Sequence, residues 1–292
     1  MGVVSTFRKS LARSALGAVS GLLAGYTALA VAELVASLVR PQAGPVTVVG
    51  GAAIDRTPAA VKDFAIRTFG ENDKVVLQLG ILAVLGLLGV ILGIVSLRYR
   101  RAGAAGVLIF GVIGAAAALS RPDTQGVADA LPSVIGALAG AAILYLLAGK
   151  LISAGSPADA EGTGGGWSRR GFLTAASVTA VAATGAGAVG RALIGKSGQG
   201  ATASRDAIKL PAPASAAPAL PAGAQLKVEG ISSFTTPNKD FYRVDTALVV
   251  PKVDADTWRL RIRGKGVTRP RTYTFRELLE RPLIERDITL TC

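Results

Sequence analysis

The stretch that decides the fold is Ser168–Leu173, which reads Ser-Arg-Arg-Gly-Phe-Leu and leads into an apolar run that ends at Ile194. The segment Phe172–Ile194 is rich in Ala, Val and Gly, and its one charged residue, Arg191, lies near the far end. About 20 apolar residues are enough to cross the hydrocarbon layer of a bilayer. The sequence therefore predicts a membrane-crossing helix here, with membrane helices before it and a soluble domain after it.

Arg169 and Arg170 have two interpretations. A basic pair before an apolar helix is a common cytoplasmic anchor of membrane proteins. The same residues also resemble the Ser-Arg-Arg-x-Phe-Leu signature of the twin-arginine pathway, which exports proteins that have already folded. Export after folding suits a domain that receives its cofactor in the cytoplasm. Because the signature follows other apolar segments, we do not expect it to be a simple cleaved leader.

The composition favours a membrane protein or a hybrid of membrane and soluble parts. Half of the 292 residues are apolar and only 17% are charged, against roughly 25% in ordinary soluble proteins. The net charge is +13, but the 32 basic residues are divided equally between residues 1–194 and the remainder. Since no basic patch interleaved with aromatic residues stands out, we expect no nucleic-acid partner. Cytoplasmic loops that contact anionic membrane lipid explain part of the charge.

The chain contains no histidine, and this excludes several kinds of site. A haem held by paired histidines and a histidine-ligated zinc or copper ion are both excluded, so we expect no haem in this chain. A Ser-His-Asp triad is excluded as well. The one cysteine, Cys292, cannot form a disulfide within the chain.

Four apolar segments precede the twin-arginine stretch, and they predict a four-helix transmembrane domain over residues 1–152. The loop between the first two segments, Arg40–Lys74, is of mixed charge. The linker at residues 153–171 is predicted to be cytoplasmic, and residues 172–194 form the fifth transmembrane or export helix. The first four predicted spans are Ser14–Val39, Val75–Leu97, Ala102–Leu119 and Val127–Ile152.

Loop charge predicts the orientation of these helices. An N-terminus inside the cell places the basic clusters at residues 8–13, 98–101 and 150–170 in the cytoplasm, and the loops left outside have nearly balanced charge. This is the asymmetry of the positive-inside rule. Five spans then carry every residue after Ile194 to the outer side. We expect a multi-pass protein of the cytoplasmic membrane with an extracytoplasmic C-terminal domain.

The first span contains two features of interest. Gly17, Gly21 and Gly25 share one helix face, and small residues at this spacing allow helices to approach closely in lipid, although they also occur in any Gly/Ala-rich span. Glu33 is a functional candidate as an intramembrane carboxylate, but its position two turns before Arg40 favours the membrane interface. The other spans are nearly free of ionisable residues, which argues against a transporter with an accessory domain and favours an anchor.

The remainder of the chain reads as a Pro/Ala-rich linker at residues 195–225 and an incomplete domain at residues 226–292. Leu210–Pro221 contains four prolines and predicts an extended, semi-rigid spacer. Thr257–Gly264 alternates as a half-buried strand does, and Tyr273 and Phe275 suggest a second one. A short helix is expected over Phe275–Arg281.

Ile288–Thr291 reads as a further strand that leads to Cys292. Strands with short helical inserts indicate an α+β domain. About 65 residues are too few for a self-sufficient core of this complexity, so we expect the domain to be incomplete.

Several elements between Ser233 and Cys292 resemble the sulfite oxidase family of molybdopterin-dependent oxidoreductases, of the membrane-anchored bacterial type. The resemblance implies a multi-span α-helical membrane domain followed by the start of an α+β molybdopterin-binding domain. It also implies a Mo-molybdopterin cofactor, with the Cys292 thiolate as a ligand of the metal. A lone cysteine after a strand is otherwise more often a small buried apolar residue. The similar elements are Asn238–Leu248, Trp258–Gly264, Tyr273–Leu279 and Ile288–Cys292.

The resemblance also implies that residues 238–246 cradle the pterin. The residues expected to contact it are Tyr242 and Arg243, with Asn238 and Asp245 behind them. Arg243 suits the cofactor phosphate, and its alternative role is a surface ion pair with an acidic neighbour.

The implied activity is a two-electron oxygen-atom transfer. Sulfite oxidation leads, and reduction of a sulfoxide is the alternative within the family. The substrate would then be a small oxyanion or a sulfoxide, and an unidentified partner would exchange electrons with the centre. A non-enzymatic membrane protein whose exported domain binds a partner is the remaining hypothesis. Because the family's substrate arginines and second domain follow the position of Cys292, we expect residues 1–292 alone to be inactive.

Overall fold

A computed structural model describes residues 2–153, 169–237, 240–241 and 252–289. The chain divides into two compact units, Met1–Gly195 and Lys196–Cys292. Five of the helices are long and apolar enough to cross a membrane, by length and composition alone. The elements are α1 (Gly2–Val39), α2 (Pro45–Arg56), α3 (Ala59–Phe69), α4 (Asp73–Ser96), α5 (Arg100–Ser120), α6 (Leu131–Ser153), α7 (Arg169–Asp206), β1 (Arg259–Ile262), β2 (Arg271–Thr274) and α8 (Phe275–Leu279).

Small residues bring α1 and α4 into contact. A Cβ added to Gly17 would lie 2.7 Å from the Leu97 side chain, and one added to Gly21 would overlap the carbonyl group of Gly89. The expected packing role is therefore confirmed for Gly17 and Gly21. It is wrong for Gly25, where a Cβ would meet nothing within 4 Å.

Small residues also allow helix α6 to pack closely against α1 and α5. A Cβ on Gly136 would lie 2.8 Å from that of Ala32, and one on Gly140 would lie 2.8 Å from the Ala24 carbonyl oxygen. Residues without bulky side chains allow helix backbones to approach closely, which stabilises helix pairs in lipid through dispersion contacts. The close approach of these helices in the first unit thus depends on glycine and alanine at their interfaces.

The segment predicted as a loop, Arg40–Lys74, instead contains α2 and α3, so that prediction is wrong. Helix α2 begins with Pro45, whose fixed φ suits the first position of a helix. Its Val48 is only 1% exposed, because α2 packs against α5. The uncharged run before Asp55 is too short to span a membrane, and it forms a buried helix instead.

An ion-pair cluster lies where α1 ends. Arg40 donates from Nη2 to Asp129 Oδ2 at 2.6 Å and from Nη1 to Asp123 Oδ2 at 3.2 Å. Arg121 Nε also donates to Asp123, at 2.7 Å. Desolvation acts to raise the pKa of Asp123, but its hydrogen bonds and attraction to Arg121 and Arg40 outweigh it and lower the pKa below the ordinary value. The cluster links the end of α1 to the turn between α5 and α6.

Helix α7 runs parallel to α1. Tyr26 Oη lies 2.9 Å from Thr184 Oγ1, and Arg191 Nε lies 3.7 Å from Glu33 Oε1. Both contacts join residues 158 positions apart, so the two helices advance in the same direction. Helix α7 also inserts Phe172, which is 5% exposed, into a cluster with residues near the end of α6. If α1 and α7 both cross a membrane, their C-terminal ends therefore lie on the same side.

The helix α7 extends beyond its predicted end at Ile194 and reaches Asp206. The first part of the predicted linker at residues 195–225 is therefore helical, which corrects that boundary. The reason is in the sequence: residues 195–206 contain no proline, and the first one after Ile194 is Pro211.

The described part of the second unit contains a two-stranded ribbon and a short helix. Strands β1 and β2 are antiparallel, with Leu260 opposite Tyr273. The predicted positions of both strands and of the helix are confirmed to within a few residues, but the prediction that β1 is half-buried is wrong, because every residue of the strand is exposed. Ile288 and Thr289 are not in a strand, which corrects that prediction for the described residues.

Candidate functional site

The ribbon presents two chemically different faces. Opposed residues in an antiparallel pair lie on the same face. Arg259 is paired with Thr274 and Arg261 with Thr272, so one face carries two arginines and two threonines. The other face carries Leu260 and Ile262 from β1 and, opposite them, Tyr273 and Arg271 from β2. All four β1 side chains are exposed.

A capping box fixes the junction between β2 and α8. The Glu277 backbone N–H donates to Thr274 Oγ1 at 3.1 Å, and the Thr274 backbone N–H donates to Glu277 Oε2 at 2.6 Å. This arrangement satisfies two amide groups that a helix start would otherwise leave without partners. The hydrogen bond from the Thr274 backbone is the main reason why the pKa of Glu277 lies below its ordinary value.

Aromatic contacts join the ribbon to α8. The rings of Trp258 and Phe275 meet edge to face, with centroids 6.0 Å apart. The Arg281 guanidinium lies 5.4 Å from the centre of the Tyr273 ring. Both are favourable contacts between exposed or half-buried groups. They orient α8 against the end of the ribbon.

The Pro/Ala-rich segment pairs with a later part of the chain, which the sequence reasoning missed. The Ala214 backbone N–H donates to the Leu283 carbonyl oxygen at 2.7 Å, and the Glu285 N–H donates to the Ser215 carbonyl oxygen at 2.9 Å. The side chain of Glu285 accepts a further bond from the Ala217 N–H at 3.2 Å. This part of the predicted spacer is therefore held against residues 283–286.

Arg286 adds side-chain hydrogen bonds to the same pairing. Its Nη1 donates to the carbonyl oxygens of Ser215 and Ala216, both at 3.3 Å, and its Nη2 donates to Ser215 Oγ at 2.9 Å. Proline-rich chain is already extended and has few backbone donors, so it can lie along another strand only through the amides between its prolines. The alanines and the serine between Pro213 and Pro218 keep their backbone N–H groups, and this was the signal in the sequence that the segment could pair with another strand.

The residues predicted to bind the cofactor lie outside the described part of the chain. These are Asn238, Tyr242, Arg243, Asp245 and Cys292. The structure therefore neither brings them together nor separates them, and their roles stay predictions. Asp240, a possible partner of Arg243, is described, and its N–H donates to the Pro237 carbonyl oxygen at 2.9 Å.

The described residues of the second unit include side chains suited to anion binding. Exposed arginines occur on β1, on β2 and at position 286. Arginine pairs with phosphate and other oxyanions through two parallel hydrogen bonds. This donor set fits the phosphate of a pterin cofactor or a small oxyanion. Among the residues that the structure describes, no three His, Cys, Asp or Glu side chains cluster to hold a metal ion.

Residues 247–292 match the family model described as the oxidoreductase molybdopterin binding domain. The matched region includes β1, β2, α8 and Cys292. No curated protein and no solved structure matches the chain. The family match supports a molybdopterin-dependent oxidoreductase at a coarse level, and it implies a molybdopterin cofactor and a small-molecule substrate.

Proposed function

We propose that this chain belongs to a membrane-anchored, sulfite oxidase-like enzyme that binds Mo-molybdopterin outside the cytoplasm. The observation that carries the proposal is the family match at residues 247–292, which includes the only cysteine of the chain. Bound there, the cofactor supplies two-electron oxygen-atom transfer to or from a small substrate. The function of the chain's own residues is to hold and orient that cofactor.

Cys292 would provide the thiolate ligand. A soft thiolate suits a redox metal, and coordination by a metal keeps the sulfur deprotonated. Tyr242 and Arg243 would contact the pterin, with Asn238 and Asp245 behind them. The exposed arginines of the ribbon would add positive potential, which favours the approach of an oxyanion such as sulfite. A sulfoxide, being neutral, would gain less from this potential, so sulfite oxidation is the leading activity.

The direct test is metal analysis of the full-length protein, produced in cells that make the cofactor. We expect about one molybdenum and one pterin per chain, together with sulfite oxidation by an artificial electron acceptor. Cys292→Ser should abolish the activity, whereas the neighbouring control Thr291→Ser should retain it. Equal activity of wild type and Cys292→Ser would refute the role of the thiolate. Protein without molybdenum or pterin would favour the partner-binding alternative.

The membrane location has its own support. Five helices have the length and composition of membrane spans, and α1 and α7 run in parallel. An odd number of crossings places the two termini on opposite sides, and loop charge favours an N-terminus inside. Reporters fused to the two ends test this. We expect a phosphatase that is active only after export to be active at the C-terminal end and inactive at the N-terminal end.

A double substitution distinguishes the two interpretations of the arginine pair, an export signal and a charged anchor. Arg169→Lys/Arg170→Lys keeps both positive charges and removes the twin-arginine signature. If these residues form an export signal, the C-terminal domain should remain in the cytoplasm, because that pathway recognises the arginines themselves. If they serve only as a charged anchor, export should be unchanged. Arg98→Lys/Arg101→Lys, in the basic turn between α4 and α5, is the matched control.

A further inference from the structure

Helix α3 (Ala59–Phe69) carries large apolar side chains that the rest of the described chain leaves exposed. Val61 is 53% exposed and Phe64 is 63% exposed. The helix has 11 residues, and about 20 are needed to cross the hydrocarbon layer of a bilayer. These side chains therefore belong neither to the buried core of the bundle nor to a membrane span.

The exposed residues of α3 separate into an apolar side and a polar side. Successive residues of an α-helix are rotated by about 100°, which places Val61 and Phe64 about 60° apart. The exposed Asp63 lies about 130° from the direction midway between them. Lys62 and Ala65 are half-buried and lie on a third side. The helix thus has one side for the protein, one suited to water and one suited to an apolar phase.

The last residues of α3 are held at the end of the bundle where α4 begins. Gly70 ends the helix with a φ of 54°, in the left-handed region, and Gly70–Asn72 form a short 3-10 turn before Asp73. Helix α4 has 24 residues and is about 36 Å long, slightly more than the roughly 30 Å of the hydrocarbon layer. Its first turn, and with it the end of α3, therefore lies at the boundary of that layer.

The first residues of α3 are held near the end of α5. Only Thr57 and Pro58 separate α3 from α2, and the last turn of α2 contains Asp55. Asp55 Oδ2 lies 4.0 Å from Nη1 of Arg121, the residue that follows α5. The start of α3 is therefore within a few residues of the level at which α5 ends.

Helices α4 and α5 are antiparallel neighbours, so α5 ends where α4 begins. A Cβ on Gly103 would meet the side chain of Ser96, and one on Gly106 would meet the side chain of Leu92. The contact thus moves back along α4 as it moves forward along α5. Because α3 is held near the end of α5 and near the start of α4, it lies along the membrane boundary, on the side that the predicted topology places outside.

The start of α4 indicates which apolar phase surrounds this helix. Val75, Val76 and Leu79 lie in its first two turns and are between 40% and 60% exposed. In a membrane span such side chains contact lipid. Helix α3 contacts α4 and is joined to it by three residues, so lipid is also the apolar phase nearest to Val61 and Phe64.

We propose that α3 is an interfacial helix that rests on the outer leaflet of the membrane, with Val61 and Phe64 inserted among the acyl chains and Asp63 in water. The inference rests on the proposed membrane location of the bundle. An amphipathic helix in this position buries its apolar face about 5–10 Å into the boundary between headgroups and acyl chains. Arg67 lies about 90° from the apolar side, where a long basic side chain reaches the lipid phosphates while its stem stays among the lipids.

The test places the photoreactive amino acid p-benzoylphenylalanine at single positions of the full-length protein, in nanodiscs of dioleoylphosphatidylcholine and dioleoylphosphatidylglycerol. After illumination, mass spectrometry identifies what is attached to each position. The probe replaces Phe64, whose shape it resembles, and in a second variant Val61. The matched control carries it in place of Asp63, which is exposed on the polar side of the same helix. A probe in place of Leu87, exposed near the middle of α4, reports the membrane location itself.

We expect several-fold more lipid adduct from the probe at Phe64 and Val61 than from the probe at Asp63, and lipid adduct at Leu87 as well. Adduct at Leu87 without any excess at Phe64 and Val61 over Asp63 would refute the interfacial helix and leave the proposed membrane location in place. Cross-links from positions 61 and 64 to the C-terminal domain or to a second copy of the chain, in place of lipid, would also refute it. Absence of lipid adduct at all four positions would refute the membrane location and this inference together.

Discussion

Removal of the Asp129 carboxylate should destabilise the helical bundle more than any comparable change on its surface. The Asp129 side chain is only 3% exposed, and it accepts hydrogen bonds from Arg40 Nε at 3.3 Å and Nη2 at 2.6 Å. It also accepts bonds from the Gln125 backbone N–H at 3.0 Å and from the Thr124 hydroxyl at 3.2 Å. Asp129→Ala leaves a guanidinium that is 15% exposed without its closest partner.

Breaking a buried ion pair from one side costs about 3–5 kcal/mol when the charge left behind has no other partner. Because Arg40 keeps its bond to Asp123 at 3.2 Å, we expect a cost at the lower end of this range. For a unit of roughly 200 residues, each kcal/mol shifts the unfolding temperature by about 2–4 °C. We therefore expect Asp129→Ala to lower the apparent unfolding temperature by about 6–12 °C. The measurement is thermal unfolding of the purified protein in a mild detergent, followed by circular dichroism and at one fixed scan rate.

Two further variants test the physical reason. Asp55→Ala removes a carboxylate that is 51% exposed and 4.0 Å from Arg121, so it should cost about 1 kcal/mol or less. Arg40→Met/Asp129→Leu replaces both charges by apolar groups and should recover most of the lost stability, since the buried charge is gone. The reasoning is refuted if Asp129→Ala unfolds within 2 °C of wild type, or if the double variant is less stable than Asp129→Ala.

Three other outcomes follow from the structure. Because Asp123 has a lowered pKa, its ion pairs stabilise the bundle fully above its ordinary pKa of 3.8. This stabilisation is lost as the pH falls through the lower pKa of the folded state. Below about pH 4, the unfolding temperature of Asp123→Asn should therefore depend less on pH than that of wild type. Gly21→Val places atoms against the α4 backbone and should lower the unfolding temperature, whereas Gly25→Val, in open space, should not; equal effects would contradict the packing described here. Arg286→Ala should speed hydrogen exchange at residues 214–217, measured by mass spectrometry, whereas Arg281→Ala should leave their protection unchanged. Equal protection in wild type and both variants would show that the Arg286 contacts do not hold this segment.

The sequence predicted the long helices well because their signal is strong and local. Runs such as Val75–Leu97 are apolar over more than five turns, and no competing structure satisfies so many backbone groups in lipid. The short helix α2 was missed for the opposite reason. Its uncharged stretch is as short as a loop, and its apolar face is buried only through tertiary contacts, chiefly with α5 and also with α4 and α1.

Contacts between distant residues were the least predictable features. The pairing of Ala214 with Leu283 and the ion pair of Arg40 with Asp129 each join residues about 70 to 90 positions apart. Nothing in the local sequence of either partner identifies the other. The exposure of β1 was also missed, because alternation indicates that a strand has an apolar face but does not show what covers it.

The roles of Cys292 and of the four predicted pterin contacts depend on resemblance and on the family match alone. Composition excluded histidine-ligated metal sites in this chain, but it did not by itself assign a role to Cys292. A lone cysteine is otherwise uninformative, because a single sequence does not distinguish a buried structural cysteine from a metal ligand.

The pairing of residues 214–217 with residues 283–286 limits how far the C-terminal domain can travel from the end of α7. Only residues 207–213 remain between Asp206 and the pinned segment. Seven residues of extended chain span about 23 Å, whereas an unpinned linker to Gln225 would span about 60 Å. A tether this short keeps the paired segments, residues 214–217 and 283–286, within about 23 Å of Asp206.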